Sequence, residues 1–186
     1  VDLVILCITI LEKIKYLHDH DILIGDLNDQ NILVVSATEV YFVDTDSYQI
    51  EGFPCPVGTP VYTAPEVQGQ PFSSFLRTKG NEAFAIATLL FRIMLPGKTP
   101  YSQQGGNDLQ ENIARGDFSY PRGENSNRRA PDGPWRFIWS HLPRRAMKEP
   151  FYQTFRKGEV HYEECDRLDV NAWLANLREY KNLLTN

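Results

Sequence analysis

Two aspartates and an asparagine near the start of the chain have the types and spacing for phosphate chemistry. In LHDHDILIGDLNDQNILVV, residues 17–35, Asp26 precedes Asn31 by five positions, and Asn31 opens an apolar run. A second apolar run, EVYFV, ends at Val43 and is followed by Asp44. Both runs have the β-branched and aromatic content of strands and read as a hairpin. A tight turn centred on Ala37 and Thr38 pairs Asn31 with Asp44, Ile32 with Val43 and Leu33 with Phe42. Directly paired positions lie roughly 5 Å apart at Cα. Asn31 and Asp44 then converge at one end of the hairpin, and Asp26 enters the same end from the preceding loop. A few hard oxygen ligands suit Mg²⁺, which takes the rest of its shell from water and phosphate. A lone Asp is more often a turn or cap residue; the convergence is what points to chemistry.

These residues need elements to hold them. Leu3, Leu6, Ile10, Ile14 and Leu17 recur at helical spacing, so residues 2–19 read as an amphipathic helix. Residues 44–66, rich in proline, glycine and hydroxyls, read as a long ordered loop. EAFAIATLLFRIML, residues 82–95, is apolar nearly all round and must be a helix buried on most sides. PGKTP stops it. Residues 107–115 read as a short helix ending at Gly116, and 117–134 as a long polar connection. Another short helix starts with Pro150 in its first turn. Val170, Trp173, Leu174, Leu177 and Leu184 give a last amphipathic helix, with Asp169 as its N-cap. The expected fold is α+β, mainly α: one domain, residues 1–186, around a buried central helix, with a small hairpin and a long loop beside it.

Composition narrows the function classes. A net charge of −5 argues against a general nucleic-acid or membrane surface. Cys7, Cys55 and Cys165 are far apart with no C-x-x-C, which suggests neither a disulfide framework nor a zinc site. A reducing, cytoplasmic setting fits them. VDLVILCITIL is too short to span a bilayer and lacks the marks of a signal peptide. His18, His20, His141 and His161 lack metal-ligand spacing and are given no chemistry. Arg122, Arg128, Arg129, Arg136, Arg144 and Arg145 form a local basic region able to dock an acidic peptide or a phosphate. A solvated face is the commoner outcome for such a run.

The order of these pieces resembles the large lobe of the protein kinases. LHDHDILIGDLNDQNIL stands where that family has its H-R-D catalytic loop, and VDTDS where it has D-F-G. GTPVYTAPE is close to the Ser/Thr-kinase G-T-x-x-Y-x-A-P-E, and PGKTPY, NIARGDF and RLDVNAW match later landmarks in order. The D-L-N-x-x-N and D-T-D-S variants look most like a bacterial subgroup of atypical kinases, some carrying helix-hairpin-helix domains. The resemblance implies transfer of a phosphoryl group from ATP, with Mg²⁺, to a Ser/Thr hydroxyl of a protein substrate. It implies that Asp26 accepts or orients that hydroxyl and that Asn31 and Asp44 hold metal against the nucleotide phosphates. Leu33 would form part of the adenine floor, and Thr59 would help set the substrate hydroxyl. Glu66 and Arg167 resemble the family's buried structural pair.

The chain also departs from that pattern. Ile24 and Gly25 replace the His and Arg of H-R-D. Gly25 cannot bind a phosphate, so phosphorylation of the 45–63 segment has no reader in the catalytic loop. Asn28 replaces the Lys that commonly neutralises the transferred group. Asp46 replaces the D-F-G glycine and reads as a turn residue in preference to a second metal ligand. Glu82 stands where the buried helix usually has an Asp bracing the catalytic loop, and its longer chain is expected to reach less well. Ser47, Tyr48, Tyr62 and Thr63 lie in the segment that resembles the family's activation segment, and a role there and plain solvated loop hydroxyls stand as equal readings for them. No G-x-G-x-x-G and no V-A-I-K-like lysine precede the first helix, so the small lobe is expected elsewhere in a longer polypeptide. One rival reading is a pseudokinase, a binding or scaffold module, kept alive by Gly25, Asn28 and Asp46. Another is a small-molecule kinase, which generally lacks a segment like GTPVYTAPE.

Overall fold

The computed structural model describes residues 1–105, 108–123 and 128–185. Helix α1 (Asp2–Asp19) fills the range that its periodicity predicts. Its buried face is Val4, Cys7, Ile10, Leu11, Ile14 and His18, while Leu3 stays half exposed. The stripe is rotated by about one residue because two helices, introduced below, flank α1 and set which side faces inward.

Strands β1 (Ile32–Ser36) and β2 (Glu39–Phe42) form an antiparallel hairpin around Ala37 and Thr38. Thr9 Oγ1 on α1 donates to the Ala37 carbonyl at 2.9 Å and pins the turn. Ser36 pairs with Glu39, as that turn requires. An irregularity at Val35 then removes one residue from the count: Val34 faces Val40, Leu33 faces Tyr41 and Ile32 faces Phe42. The expected pairs Ile32–Val43, Leu33–Phe42 and Asn31–Asp44 are each displaced by one. A bulge takes up an extra residue on one strand, and counting back from a turn does not reveal it.

Residues 44–66 are an ordered loop, as expected. It carries 3₁₀ turns at Thr45–Ser47, Pro60–Tyr62 and Pro65–Val67, and a bridge between Gln49 and Leu23. Helix α2 (Lys79–Met94) is the buried centre, and every residue from Asn81 to Phe91 is buried. It begins three residues before the expected start at 82. Thr78 Oγ1 accepts from the Asn81 amide at 3.1 Å and Asn81 Oδ1 accepts from the Thr78 amide at 2.9 Å, a reciprocal cap that nucleates the extra turn. The ring of Phe91 meets those of Tyr120, Phe151, Phe118 and Phe155 at 5.2 to 5.9 Å. Each fully buried Phe of this kind contributes roughly 2 kcal/mol by area alone.

Helix α3 (Leu109–Arg115) ends at Gly116, whose φ of +59° closes it as expected. The expected start at Asn107 lies outside the described residues. Helix α4 (Pro134–His141) was not expected from the sequence; Pro134 opens it, and Trp139 anchors it by donating Nε1 to the Pro121 carbonyl at 3.0 Å. A π-turn at Arg144–Lys148 runs into α5 (Glu149–Phe155), with Pro150 in its first turn as the sequence suggests. Helix α6 (Val170–Thr185) buries Val170, Trp173, Leu174 and Leu177, and packs along α1, which also touches α2. Asp169 Oδ1 accepts from the Ala172 amide at 2.8 Å, the expected cap. Among the described residues no helix is long and apolar enough to cross a membrane.

Candidate functional site

The loop after α1 is anchored by the buried side chains of Ile24 and Leu27, on either side of the half-buried Asp26. Glu82, near the start of α2, is 3% exposed and braces this loop. Its Oε2 accepts from the Gly25 amide at 2.7 Å, and its Oε1 meets His18 Nε2 at 2.8 Å. The expectation that Glu82 reaches less well than an Asp is therefore wrong. Gly25, with φ +73° and no side chain, lets the main chain approach the longer carboxylate. His18 has a structural role that its sequence spacing did not announce. The available signal was its place on the α1 face, four residues after Ile14.

Asn28 sits where the resemblance expects a lysine, and it is an internal knot. It is only 5% exposed. Its Oδ1 accepts from the amides of Gln30 at 2.9 Å and Asn31 at 3.2 Å, capping the 3₁₀ turn Asp29–Asn31. Its Nδ2 donates to the Asp26 carbonyl at 3.0 Å and to Thr59 Oγ1 at 3.3 Å. Asn31 Nδ2 also donates to the Asp26 carbonyl, at 3.1 Å, which leaves Asn31 Oδ1 as its oxygen on offer. Asp26 Oδ1 accepts from the Thr59 amide at 2.8 Å and from Thr59 Oγ1 at 2.9 Å. Two residues 33 positions apart thus meet through a double hydrogen bond.

At this same end of the hairpin, away from the Ala37–Thr38 turn, the Val43 amide donates to the Asn31 carbonyl at 3.0 Å. Asp44 lies one residue beyond that contact, exposed and in the left-handed region at φ +59°. Its carboxyl is pushed above its ordinary value, first by a side-chain hydrogen bond with Asp46, then by the charge of Asp46, with smaller effects from burial and from Asp26. Asp46 occupies a turn, as expected, and also crowds Asp44. This excess of negative charge is what a cation would relieve. Among the described residues no three His, Cys, Asp or Glu side chains converge on a metal position. The donors that the sequence proposed, the Asn31 amide oxygen and the Asp44 carboxylate, are hard oxygens of the kind that suits Mg²⁺. Leu33, on β1, is 55% exposed.

Glu66 and Arg167 form a two-pronged pair, with Nη1–Oε1 at 2.5 Å and Nη2–Oε2 at 2.8 Å. Arg167 also donates to the carbonyls of Gly80 and Tyr162, both at 3.1 Å. Burial pushes the Glu66 carboxyl up, but the Arg167 guanidinium outweighs it and holds the group below its ordinary value. Tyr62 and Thr63 are buried, and Thr63 Oγ1 donates to the Thr59 carbonyl at 3.0 Å. In the basic region Arg122, Arg136 and Arg144 pair with Glu159, Asp132 and Glu149 at 3.2, 3.2 and 2.9 Å. They border a cavity of about 690 Å³ that shares no lining residue with the Asp26 loop.

Comparisons with known proteins bear on the family and the fold. The family model described as the protein kinase domain matches residues 3–167. The chain is 30% identical over 177 residues to protein kinase YegI of Escherichia coli K12, covering 90% of this chain and 26% of that protein. It is also 30% identical over 127 residues to the serine/threonine-protein kinase GRIK2 of Arabidopsis thaliana, covering 62% of this chain and 29% of that one. A solved structure of titin kinase and its flanking domains superposes with a TM-score of 0.68 over 96% of this chain and 29% of that chain. At 16% identity that likeness speaks for the fold alone. The chain spans about a quarter of the length of the curated relatives it matches. By sequence and by fold, the chain belongs to the protein kinase family, and its elements are those of the larger, mainly helical part of the kinase fold.

Proposed function

We propose that this chain is the larger lobe of a protein kinase that transfers the γ-phosphoryl group of ATP to a Ser/Thr hydroxyl of a protein substrate. The observation that carries the reading is the double hydrogen bond from Thr59 to Asp26. It fixes a carboxylate against the segment that resembles the family's peptide-binding stretch, with Asn31 and Asp44 at the neighbouring hairpin end. Asp26 Oδ2 accepts or orients the proton of the substrate hydroxyl, whose oxygen attacks the γ-phosphorus as ADP departs. Thr59 holds Asp26 in place, and Asn28 and Asn31 hold its main chain. Asn31 and Asp44 would hold Mg²⁺, which when bound supplies positive charge to the nucleotide phosphates. Leu33 offers a face to adenine.

The rest of the nucleotide site comes from another segment of the same polypeptide. Leu33, Val34, Val35, Tyr41 and Val43 are 41 to 59% exposed on one hairpin, an apolar surface that such a lobe would cover. Cytoplasmic placement fits three cysteines that form no disulfide. The second reading, a pseudokinase, draws on Asn28: its side chain is neutral and fully engaged where the family has its lysine. The test is ATP-dependent phosphorylation of a generic Ser/Thr substrate by the full-length protein. Turnover that disappears in Asp26→Asn supports the enzyme; nucleotide binding without turnover in the wild type supports the pseudokinase.

A further inference from the structure

Gly25 stands where a kinase-like catalytic loop would carry an arginine, and the structure shows what fills the space instead. A Cβ built on Gly25 would lie 2.4 Å from Cys55 Cβ and 2.6 Å from its Sγ. Arg77, from the loop leading into α2, reaches in from the other side. It is 7% exposed, and its guanidinium carbon lies 4.2 Å from the centre of the Phe72 ring. Nη1 donates to the Gly25 carbonyl and Nη2 to the Val57 carbonyl. The main chain of Arg77 is itself locked: Gln49 Oε1 accepts from its amide and Gln49 Nε2 donates to its carbonyl, both at 2.8 Å. Gln49 in turn bridges to Leu23 through main-chain bonds of 2.8 and 3.1 Å.

One guanidinium therefore joins the residue before Asp26 to a residue two positions before Thr59. Asp26 follows directly on the first of these residues and Thr59 lies two residues after the second, so the bridge spans both sides of the Asp26–Thr59 contact. We propose that Arg77 is a positioning residue that holds the 45–63 segment in its Asp26-engaged arrangement without any phosphate on that segment. The inference rests on the kinase reading for its catalytic consequence, but not for its geometry. Main-chain carbonyls are permanent acceptors, so the contact needs no modification to form. The planar fork of Arg suits two separated carbonyls, which a single ammonium does not match. Arg77 is not a hidden phosphate receptor, because the cavity bounded by Gly25, Asp26, Thr59, Arg77 and Glu82 holds only about 10 Å³. Burying a cation with no carboxylate bonded to it is costly, and the two carbonyls and the Phe72 face offset that cost here.

The test uses the full-length protein as wild type, Arg77→Met and Arg77→Lys, each with and without phosphatase treatment. Amide hydrogen exchange is read at residues 57–59 and, as a control for the fold, at residues 84–91 of α2. Arg77→Met should speed exchange at 57–59 by roughly ten- to a hundred-fold, the range for losing a charge-assisted hydrogen bond, and leave α2 unchanged. It should lower kcat by a similar factor and leave the KM for ATP near its wild-type value. Arg77→Lys should restore neither. Phosphatase treatment should leave the wild type unaltered in both readouts. Unchanged exchange at 57–59 in Arg77→Met would overturn the proposal. So would an equal rise in α2, which would make Arg77 a general core residue, or a phosphatase-treated wild type that exchanges like Arg77→Met. A wild type with no phosphotransfer would defeat the kinase reading, while the exchange comparison would still decide whether the clamp exists.

Discussion

Asp26 owes its orientation to residues far away in sequence. Thr59 contributes two donors, one from the main chain and one from the hydroxyl, so its substitution and that of Asp26 should differ in size. Asp26→Asn in the full-length protein should lower kcat by roughly 10²- to 10⁴-fold, the usual contribution of a positioned acid–base group, with little change in the KM for ATP. Thr59→Ala keeps the main-chain donor and should cost only about ten-fold. Steady-state kinetics of both variants check this, and equal losses would show that Thr59 does more than orient Asp26. Asn28 allows a less obvious prediction. Replacing it by Lys restores the residue type common in the family, yet it removes the cap on Asp29–Asn31 and both amide donations. Asn28→Lys should therefore lower the thermal midpoint and the turnover together, with a loss of about 2–4 kcal/mol in stability. A rise in turnover would show that the missing charge matters more than the knot.

Among the elements, the join between the 44–66 loop and the late helices depends on Glu66 and Arg167. The Arg167 side chain is 2% exposed and that of Glu66 31%, so water screens the pair from one side only. Glu66→Gln should destabilise the protein by about 2–3 kcal/mol near neutral pH, toward the low end for a broken buried pair. The folded-state pKa of Glu66 lies below its unfolded value. Its contribution is thus present above the unfolded value and is lost as pH falls through the folded one. The gap in thermal midpoint between wild type and Glu66→Gln should be widest near neutrality and should close in acid. A gap that widens as pH falls would mean the carboxyl is not held by Arg167. Gly25 marks another junction of elements. Gly25→Ala meets a left-handed φ and the Cys55 side chain at once, and should cost at least ~2 kcal/mol in a denaturant titration.

For the whole molecule, the helical core and the nucleotide site have different requirements. Helices α1, α2, α5 and α6 bury a continuous apolar and aromatic core. Residues 1–186 should therefore fold alone, with a cooperative thermal transition. Phosphoryl transfer depends almost wholly on positioning and charge stabilisation, and Leu33 is 55% exposed. The isolated chain should accordingly show no measurable turnover beside the full-length protein. An assay of both, with Asp44→Ala as control, checks this. Matching turnover that vanishes in Asp44→Ala would show that the active site is complete within these residues.

The local sequence determined the elements whose signal is short in range. The extent of α1, the existence of the hairpin, the Asp169 cap and the Gly116 stop all follow from periodicity or from single residues with one strong conformational preference. The order of the motifs likewise gave the family and brought Asp26, Asn31, Asp44 and Thr59 forward as candidates. Helix α4 was missed because eight residues of mixed composition carry little periodicity, although Pro134 marked its start. The tertiary structure decided the rest. The bulge at Val35 moved Asn31 from Asp44 to Val43, because register is set by strand pairing and not by counting from a turn. Glu82 reached Gly25, Asn28 became a knot, and Arg77 joined Gly25 to Val57, each across 20 to 57 positions of chain. A side chain's partner at that separation depends on where the packed core places two backbones, and no local pattern encodes that.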